Sequence, residues 1–151
     1  MPNKIKGIHA FLMAKLPSAY FTGVRLKSIS DTSCITTVKF RWINQNPFKS
    51  MFWAIQGMAA ELSTGALVMG YIKEFDTPIS MLVLNNKGNF SKKARGRITF
   101  TCNDGLTCKA AIEKAIETGE GQTIWMESKG VDQAGDVVST FHFEWTLRTK
   151  R

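Results

Sequence analysis

The sequence predicts an α+β fold in which a curved antiparallel β-sheet of about five or six strands wraps around one long central helix. Three features of the 151-residue chain lead to this prediction. Residues 51–71 are apolar almost all round, which is typical of a helix buried on most sides. The segments on either side of it alternate between apolar and polar residues, as half-buried strands do. A sheet that must cover such a helix curls around it.

The segment before this helix predicts a short helix and a β-hairpin. The short helix is indicated by apolar residues at helical spacing, namely Ile5, Ile8, Leu12 and Leu16. Pro17 ends it, and from Tyr20 the period becomes two. A turn at Ser30–Asp31 separates the two strands. The second strand is predicted to turn four residues towards the core: Cys34, Val38, Phe40 and Trp42.

Ser50 is a reasonable N-cap for the central helix, which we predict from Met51 to about Tyr71. Its length of about 30 Å would also span a bilayer. Against that stand the polar residues Gln56, Glu61, Ser63 and Thr64. A central acid alone costs roughly 2.5–3.5 kcal/mol on insertion scales. We therefore expect a helix buried in protein and no membrane partner.

The segment after the helix predicts four more strands and an inserted helix. The first strand runs from Ile79 through a kink at Gly88 towards Phe90, and Ala94–Gly96 makes the turn that follows. The next strand turns Ile98, Phe100 and Cys102 inward. Asp104 is expected to cap a helix over Leu106–Thr118, and Gly119 to end it. Ile124 and Met126 open another strand, and 132–136 is a hairpin loop. The last strand lines the core with Val137, Phe141, Phe143, Trp145 and Leu147.

Composition limits the class of protein. The chain length fits a single domain over residues 1–151. Cys34, Cys102 and Cys108 show no spacing for a metal or redox pair, so we expect them to fill the core. Their number and the lack of a leader-like N-terminus favour the cytoplasm. The net charge of +8 suggests nucleic acid, an anionic membrane or a phosphorylated cofactor as a partner, unless it is only a solvated surface.

Four features of the chain together suggest a known family: Asn46, the helix "FWAIQGMAAELSTG", the strand–turn–strand "FSKKARGRITFTC" and the closing "GDVVSTFHFEWTLR". With these features, the chain from about residue 5 to 148 resembles the hotdog fold of the acyl-CoA thioesterases. Within that superfamily it is similar to the phenylacetate-pathway-like group, and nearest to a branch known as a domain of unknown function. Glu61 falls where the family places its helix carboxylate, fifteen residues after the Asn.

The resemblance implies a thioester hydrolase whose site forms across a homodimer, with a dimer of dimers also open. Glu61 of one subunit would activate water or attack the carbonyl, facing residues 51–54 of the other. Asn46 would orient the water or the substrate, and Thr64 would bond the carboxylate or the substrate. Residues near the helix start would contact substrate: Phe52, Trp53, Ala54, Gln56 and Gly57. Active members often carry His-Gly-Gly where this chain has Phe52–Ala54.

Coenzyme A would enter only as part of the substrate, and no cofactor or metal is expected. Its phosphorylated ADP moiety would meet Lys92, Lys93 and Arg95, which cluster with Arg97 on one predicted turn. The plainer reading of this cluster is an exposed charged hairpin.

Each candidate also has a structural alternative. Glu61 would pair with a buried Arg or join the two central helices, and Asn46 would form a turn before Pro47. Gln56 and Gly57 would pack the helix, and Phe52 and Trp53 the core or a pocket wall. His9 and His142 lie on predicted polar faces with no visible partner.

Three functions remain open from the sequence. The first is a thioesterase acting on acyl-CoA or a related acyl thioester, which is an enzyme only if the site is intact. The second is a non-catalytic binder of acyl chains or acyl-CoA. The third is a nucleic-acid-binding module, which rests on net charge alone. We therefore expect a small-molecule acyl thioester as the partner and no nucleic acid.

Overall fold

A computed structural model describes the backbone of residues 2–150 and the side chains of residues 5–150. The helices are α1 (Pro2–Lys15), α2 (Pro17–Phe21), α3 (Trp53–Glu74) and α4 (Gly105–Thr118). The strands are β1 (Arg25–Ile29), β2 (Cys34–Lys39), β3 (Ile79–Phe90), β4 (Arg97–Cys102), β5 (Gln122–Val131) and β6 (Val137–Thr149). A short 3₁₀ helix covers Trp42–Asn44. The predicted order of elements is confirmed, with α2 as an addition.

The six strands form one antiparallel sheet in the order β1-β2-β4-β5-β6-β3. The long helix α3 packs against the inner face of this sheet, where alternate strand residues such as Ile98, Phe100 and Met126 are fully buried. The predicted curved sheet around a central helix is therefore confirmed. The strands at the two edges are β1 and β3.

The central helix begins two residues later than predicted. Ser50 is not its N-cap, because Ser50 Oγ donates to Asn46 Oδ1 at 3.2 Å and closes the preceding loop. Phe52 occupies the cap position with no side-chain hydrogen bond. The helix then runs to Glu74, one turn beyond the predicted end.

Two residues predicted to face the core do not. Trp42 is 82% exposed, because β2 ends at Lys39 and the chain turns into the 3₁₀ helix. Val137 is 39% exposed, because an irregular register opposite Gly130 and Val131 adds one residue to β6. That extra residue places Val138 in the core instead.

Other predicted details are mixed. Asp104 precedes α4, but its carboxylate does not cap the helix and accepts from Glu127 N at 2.8 Å. Gly119 ends α4 with φ of 71°, as expected.

The expectation that the histidines lack partners was wrong: His9 Nε2 accepts from Leu26 N at 3.0 Å, and His142 Nε2 lies 3.1 Å from Glu127.

The three cysteines are buried and unpaired, which confirms them as core residues. Burial raises the pKa of each thiol to about 12, so all three stay protonated and unreactive near neutral pH. Within residues 2–150, no helix combines the length and hydropathy needed to cross a bilayer.

Candidate functional site

Glu61 lies in the middle of α3, at a cavity of about 470 Å³. The cavity lies between α3, the N-terminal helices and the inner face of β3 and β6. It is lined mainly by apolar side chains, among them Phe11, Leu12, Leu16, Met58, Leu62, Met69, Met81 and Trp145. Glu61 and Lys15 are the charged residues of this lining. The cavity is thus an apolar space with one carboxylate at its wall.

Glu61 is exposed to solvent in the single chain, so it is less buried than the sequence suggested. Protein atoms around the carboxyl still desolvate it, and this desolvation raises its pKa above that of an ordinary glutamate. Among the side chains of residues 5–150, no cation forms an ion pair with Glu61 and no donor hydrogen-bonds its carboxylate. The alternative of a buried Glu–Arg pair is therefore wrong for this part of the chain.

Thr64, one turn after Glu61, is fully buried and its hydroxyl is occupied. The hydroxyl donates to the backbone oxygen of Glu61 at 2.9 Å and accepts from Trp145 Nε1 at 2.9 Å. Thr64 therefore fixes the indole that forms part of the cavity wall. Its contact with substrate stays a prediction.

A second cavity, of about 520 Å³, lies at the start of α3. Its lining brings together several predicted site residues: Asn46, Phe52, Trp53, Gln56, Lys92 and Lys93. The helix has no side-chain cap here, and its backbone bonding begins with Ile55 N donating to Phe52 O at 3.0 Å. The N–H groups of Trp53 and Ala54 therefore have no acceptor within the helix and lie at the positive end of the helix dipole. Phe52, Trp53 and Ala54 stand here in place of the His-Gly-Gly sequence described above.

Asn46 holds the loop before α3. Its Oδ1 accepts from Phe48 N at 2.9 Å, from Ser50 N at 3.3 Å and from Ser50 Oγ. Its Nδ2 makes one long bond of 3.4 Å to Met51 O. The turn alternative is confirmed, and one amide N–H has no partner within the described chain.

Gln56 is also tied into the fold. It is buried, with Nε2 donating to Met51 O at 3.2 Å and Oε1 accepting from Ser139 Oγ at 2.8 Å. Gly57 packs near the ring of Phe141, in line with the packing alternative. Phe52 and Trp53 stand edge to face, 5.9 Å apart, and are 42% and 56% exposed. Neither aromatic residue is in the core of the single chain.

The two cavities lie on different sides of α3. At about 100° and 1.5 Å per residue, Gln56 and Glu61 are roughly 140° apart around the axis, and Trp53 and Glu61 are about 12 Å apart along it. One carbonyl group cannot touch both Glu61 and the N–H groups at the helix start of the same chain.

Two of the three predicted coenzyme A residues, Lys92 and Lys93, line the second cavity, whereas Arg95 is not part of its lining. Lys92 Nζ binds Asp132 and Asp136 at 2.7 and 2.8 Å, and these bonds raise its pKa. Arg95 Nε donates to Lys49 O at 3.1 Å. Lys93 has no carboxylate partner among the described residues.

Sequence reasoning missed the N-terminal helices and Trp145 as walls of the Glu61 cavity. The sequence held one signal for the N-terminal helices: Phe11 and Met13 are apolar but lie off the apolar stripe of α1. In the structure these two side chains are 39% and 50% exposed. Apolar residues outside a helix's packing stripe indicate a second surface to be covered.

A curved antiparallel sheet around a long helix, with a carboxylate at mid-helix, defines a hotdog-fold protein. The family model for "Domain of unknown function (DUF4442)" matches residues 4–147, so the chain belongs to this family. This agrees with the resemblance seen in the sequence. No protein of curated function matches the chain.

Solved structures share the fold. A Pseudomonas aeruginosa protein of unknown function, described as a probable thioesterase, is 20% identical over 96% of each chain, with a TM-score of 0.80. A Chlorobaculum tepidum protein of unknown function is 17% identical over 96% of this chain and 94% of that one, with a TM-score of 0.81. A Staphylococcus aureus thioesterase, with one glutamine replaced by alanine, is 12% identical over 83% and 93%, with a TM-score of 0.63.

Proposed function

We propose that this protein hydrolyses acyl thioesters such as acyl-CoA, with Glu61 as the catalytic carboxylate at a homodimer interface. The observation that carries the proposal is the position of Glu61: an unpaired, partly desolvated carboxylate at the wall of an apolar cavity large enough for an acyl group. An unpaired acid whose pKa is raised by desolvation, beside an apolar cavity, is a candidate functional group.

The chemistry follows from the raised pKa of Glu61. A carboxylate whose pKa is moved towards neutrality is a better general base, so it would take a proton from water as the water attacks the thioester carbon. Direct attack by the carboxylate on that carbon is the other route: it would form an acyl anhydride with Glu61, which water would then hydrolyse to free the carboxylate. In either case the apolar cavity would hold the acyl chain, and the coenzyme A thiol would leave.

The developing oxyanion needs donors, and the free N–H groups of Trp53 and Ala54 supply them. Because these donors are too far from Glu61 in one chain, the proposal requires a second copy to bring its helix start to the first cavity. Asn46, with one free amide N–H, would then orient the substrate from the same side.

The edge strand β3 is the surface we propose for this pairing. It is twelve residues long, and beyond its pairing with β6 its other edge is open in the single chain. Leu82 and Leu84 are 65% and 53% exposed on it. A long exposed edge strand with apolar side chains is a ready pairing surface for another strand.

A pattern among the relatives supports the pair Asn46 and Glu61. A second structure of the Staphylococcus aureus protein replaces a glutamate by alanine, fifteen positions after the glutamine replaced in the first. Asn46 and Glu61 have the same separation. We infer that an amide and a carboxylate at this spacing serve the same site here.

A second function, binding without hydrolysis, is favoured by one observation. Phe52 and Trp53 flank the helix start where glycines would let a carbonyl reach the backbone. If their rings keep the carbonyl away from Trp53 N–H and Ala54 N–H, the protein would hold acyl-CoA unchanged.

One experiment separates these two functions. Glu61→Gln keeps the shape of the side chain and removes the base, so we expect hydrolysis of an acyl-CoA panel, followed by thiol release, to fall at least about a hundredfold. Glu113→Gln, which removes an exposed carboxylate from α4, is the control and should hydrolyse normally. Equal hydrolysis by Glu61→Gln and the parent would overturn the catalytic role. No thiol release by the parent, together with a rise in melting temperature on adding acyl-CoA, would favour the binder.

A further inference from the structure

Three loops meet at the end of the molecule where α3 begins, and they carry an unusual combination of side chains. The connection of residues 40–52 is joined to the β3–β4 connection by Phe40 N donating to Gly96 O at 2.7 Å and Met51 N donating to Ala94 O at 2.9 Å. It is joined to the end of α2 by Arg41 Nη2 donating to Phe21 O at 2.8 Å. The loops therefore form one continuous surface.

Large apolar side chains project from this surface. The exposed fractions are 63% for Phe21, 82% for Trp42, 56% for Ile43 and 67% for Phe48. The backbone that carries them is firmly held: buried Asn44 donates to Thr22 O and Lys39 O, both at 2.9 Å, and Asn46 closes the turn under Phe48. The amide hydrogen bonds of Asn44 and Asn46 therefore fix the backbone in a conformation that leaves these apolar side chains exposed to water.

The same surface is strongly basic. Its exposed cations are Lys39, Arg41, Lys49, Lys92, Lys93, Arg95 and Arg97. No Asp or Glu occurs in residues 32–60 or 77–103. The neighbouring carboxylates Asp132 and Asp136 are both bound to Lys92, and among described residues the other six cations have no carboxylate partner.

Lys39 and Arg97 show that this charge is not balanced within the described chain. They are directly opposite each other across β2 and β4. Like charges in this position destabilise a sheet. An anionic partner that covers both would relieve the repulsion.

We propose that this aromatic–basic surface, made of the four apolar side chains and seven cations above, docks on an anionic lipid bilayer. Exposed Trp and Phe among Lys and Arg is the composition of interfacial membrane sites, where rings enter the headgroup region and cations meet anionic lipid. Cations alone would serve a nucleic acid or an acidic protein equally well. Four large apolar side chains held in water among those cations favour a bilayer instead. The proposal departs from the sequence-based expectation of no membrane partner, and it does not depend on thioester hydrolysis.

The test is sedimentation of the full-length protein with vesicles. Phosphatidylcholine vesicles are compared with vesicles in which roughly a third of the lipid is phosphatidylglycerol. We expect binding to the anionic vesicles only, weakened by salt because the charges are screened. Trp42→Ser with Lys49→Gln should lower the partition coefficient at least about tenfold. Both side chains are exposed, so the variant should melt like the parent.

The matched control is Leu106→Ser with Lys114→Gln, which removes one exposed apolar group and one cation from α4. It should bind vesicles like the parent. The proposal is overturned if the parent ignores anionic vesicles at low salt, or if the Trp42 and Lys49 variant binds as well as the control. Salt-sensitive retention on nucleic acid or on an acidic protein, without vesicle binding, would assign the surface to that partner instead.

Discussion

At the scale of single residues, the raised pKa of Glu61 predicts a stability cost that increases with pH. The folded chain holds the proton more tightly than the unfolded chain, so the cost is absent below the ordinary pKa of 4.5 and grows as pH rises through the folded pKa. We expect Glu61→Gln to melt at a higher temperature than the parent at neutral pH, with the difference vanishing under more acidic conditions. Thermal unfolding across pH measures this.

The comparison for that measurement is Glu113→Gln, which removes an exposed carboxylate from α4. A lower melting temperature for Glu61→Gln at neutral pH would contradict the prediction. It would mean that the ionised carboxylate makes a stabilising contact in the folded protein.

The surroundings of Glu61 were only partly predictable from the sequence. Its place as the lone acid of the apolar segment 51–71 is visible in the chain. The cavity wall opposite it is not, because Phe11, Met81 and Trp145 come from distant segments that only the folded chain brings together. The hydrogen bonds of Asn46 were also hidden, since an Asn before Pro is compatible with either a turn or a ligand contact.

At the scale of elements, the positions of helices and strands were predictable because the period of apolar residues changes clearly between them. Which residues of an element face the core was less predictable. One extra residue in β6 turned Val137 outward, and the early end of β2 released Trp42 to the surface. Such irregularities depend on the partner strand and the loop, not on the local pattern.

The junction of α4 with the β1–β2 turn predicts a sharp effect of a small substitution. Gly105 begins α4, and its N–H donates to Thr32 O at 3.0 Å. A methyl group there would collide with the backbone of Asp31 and Thr32, which cannot move aside as a side chain can. Although Ala favours helices, we expect Gly105→Ala to reduce the free energy of unfolding by about 2 kcal/mol or more.

Denaturant unfolding measures that loss, and Gly70→Ala is the matched control. Gly70 lies in α3 with no atom within 4 Å of an added methyl group. That substitution should stabilise the helix by about 0.5–1 kcal/mol. Equal effects of the two changes would mean that the turn at Asp31 yields more easily than its packing suggests.

At the scale of the whole molecule, the distribution of charge and apolar surface could not be read from net charge alone. The net charge is a single total of +8, whereas the fold gathers seven cations at the end where α3 begins. The same end holds the second cavity and the free N–H groups of Trp53 and Ala54. A substrate site shared between copies and a membrane-facing surface would therefore be neighbours in the assembled protein.

The shared site predicts complementation between two inactive variants. Glu61→Gln removes the base, and Ala54→Pro removes one oxyanion donor at a position in the first turn where the helix loses no internal hydrogen bond. Each homodimer should be inactive. After the two proteins are mixed, unfolded and refolded together, half of the dimers contain both chains, and each of these has one intact site. We expect about a quarter of the parent's hydrolysis. If each site lay within a single chain, mixing the two variants would restore no hydrolysis. A chain that carries both substitutions, refolded with the parent, is the control for dilution of the parent chain.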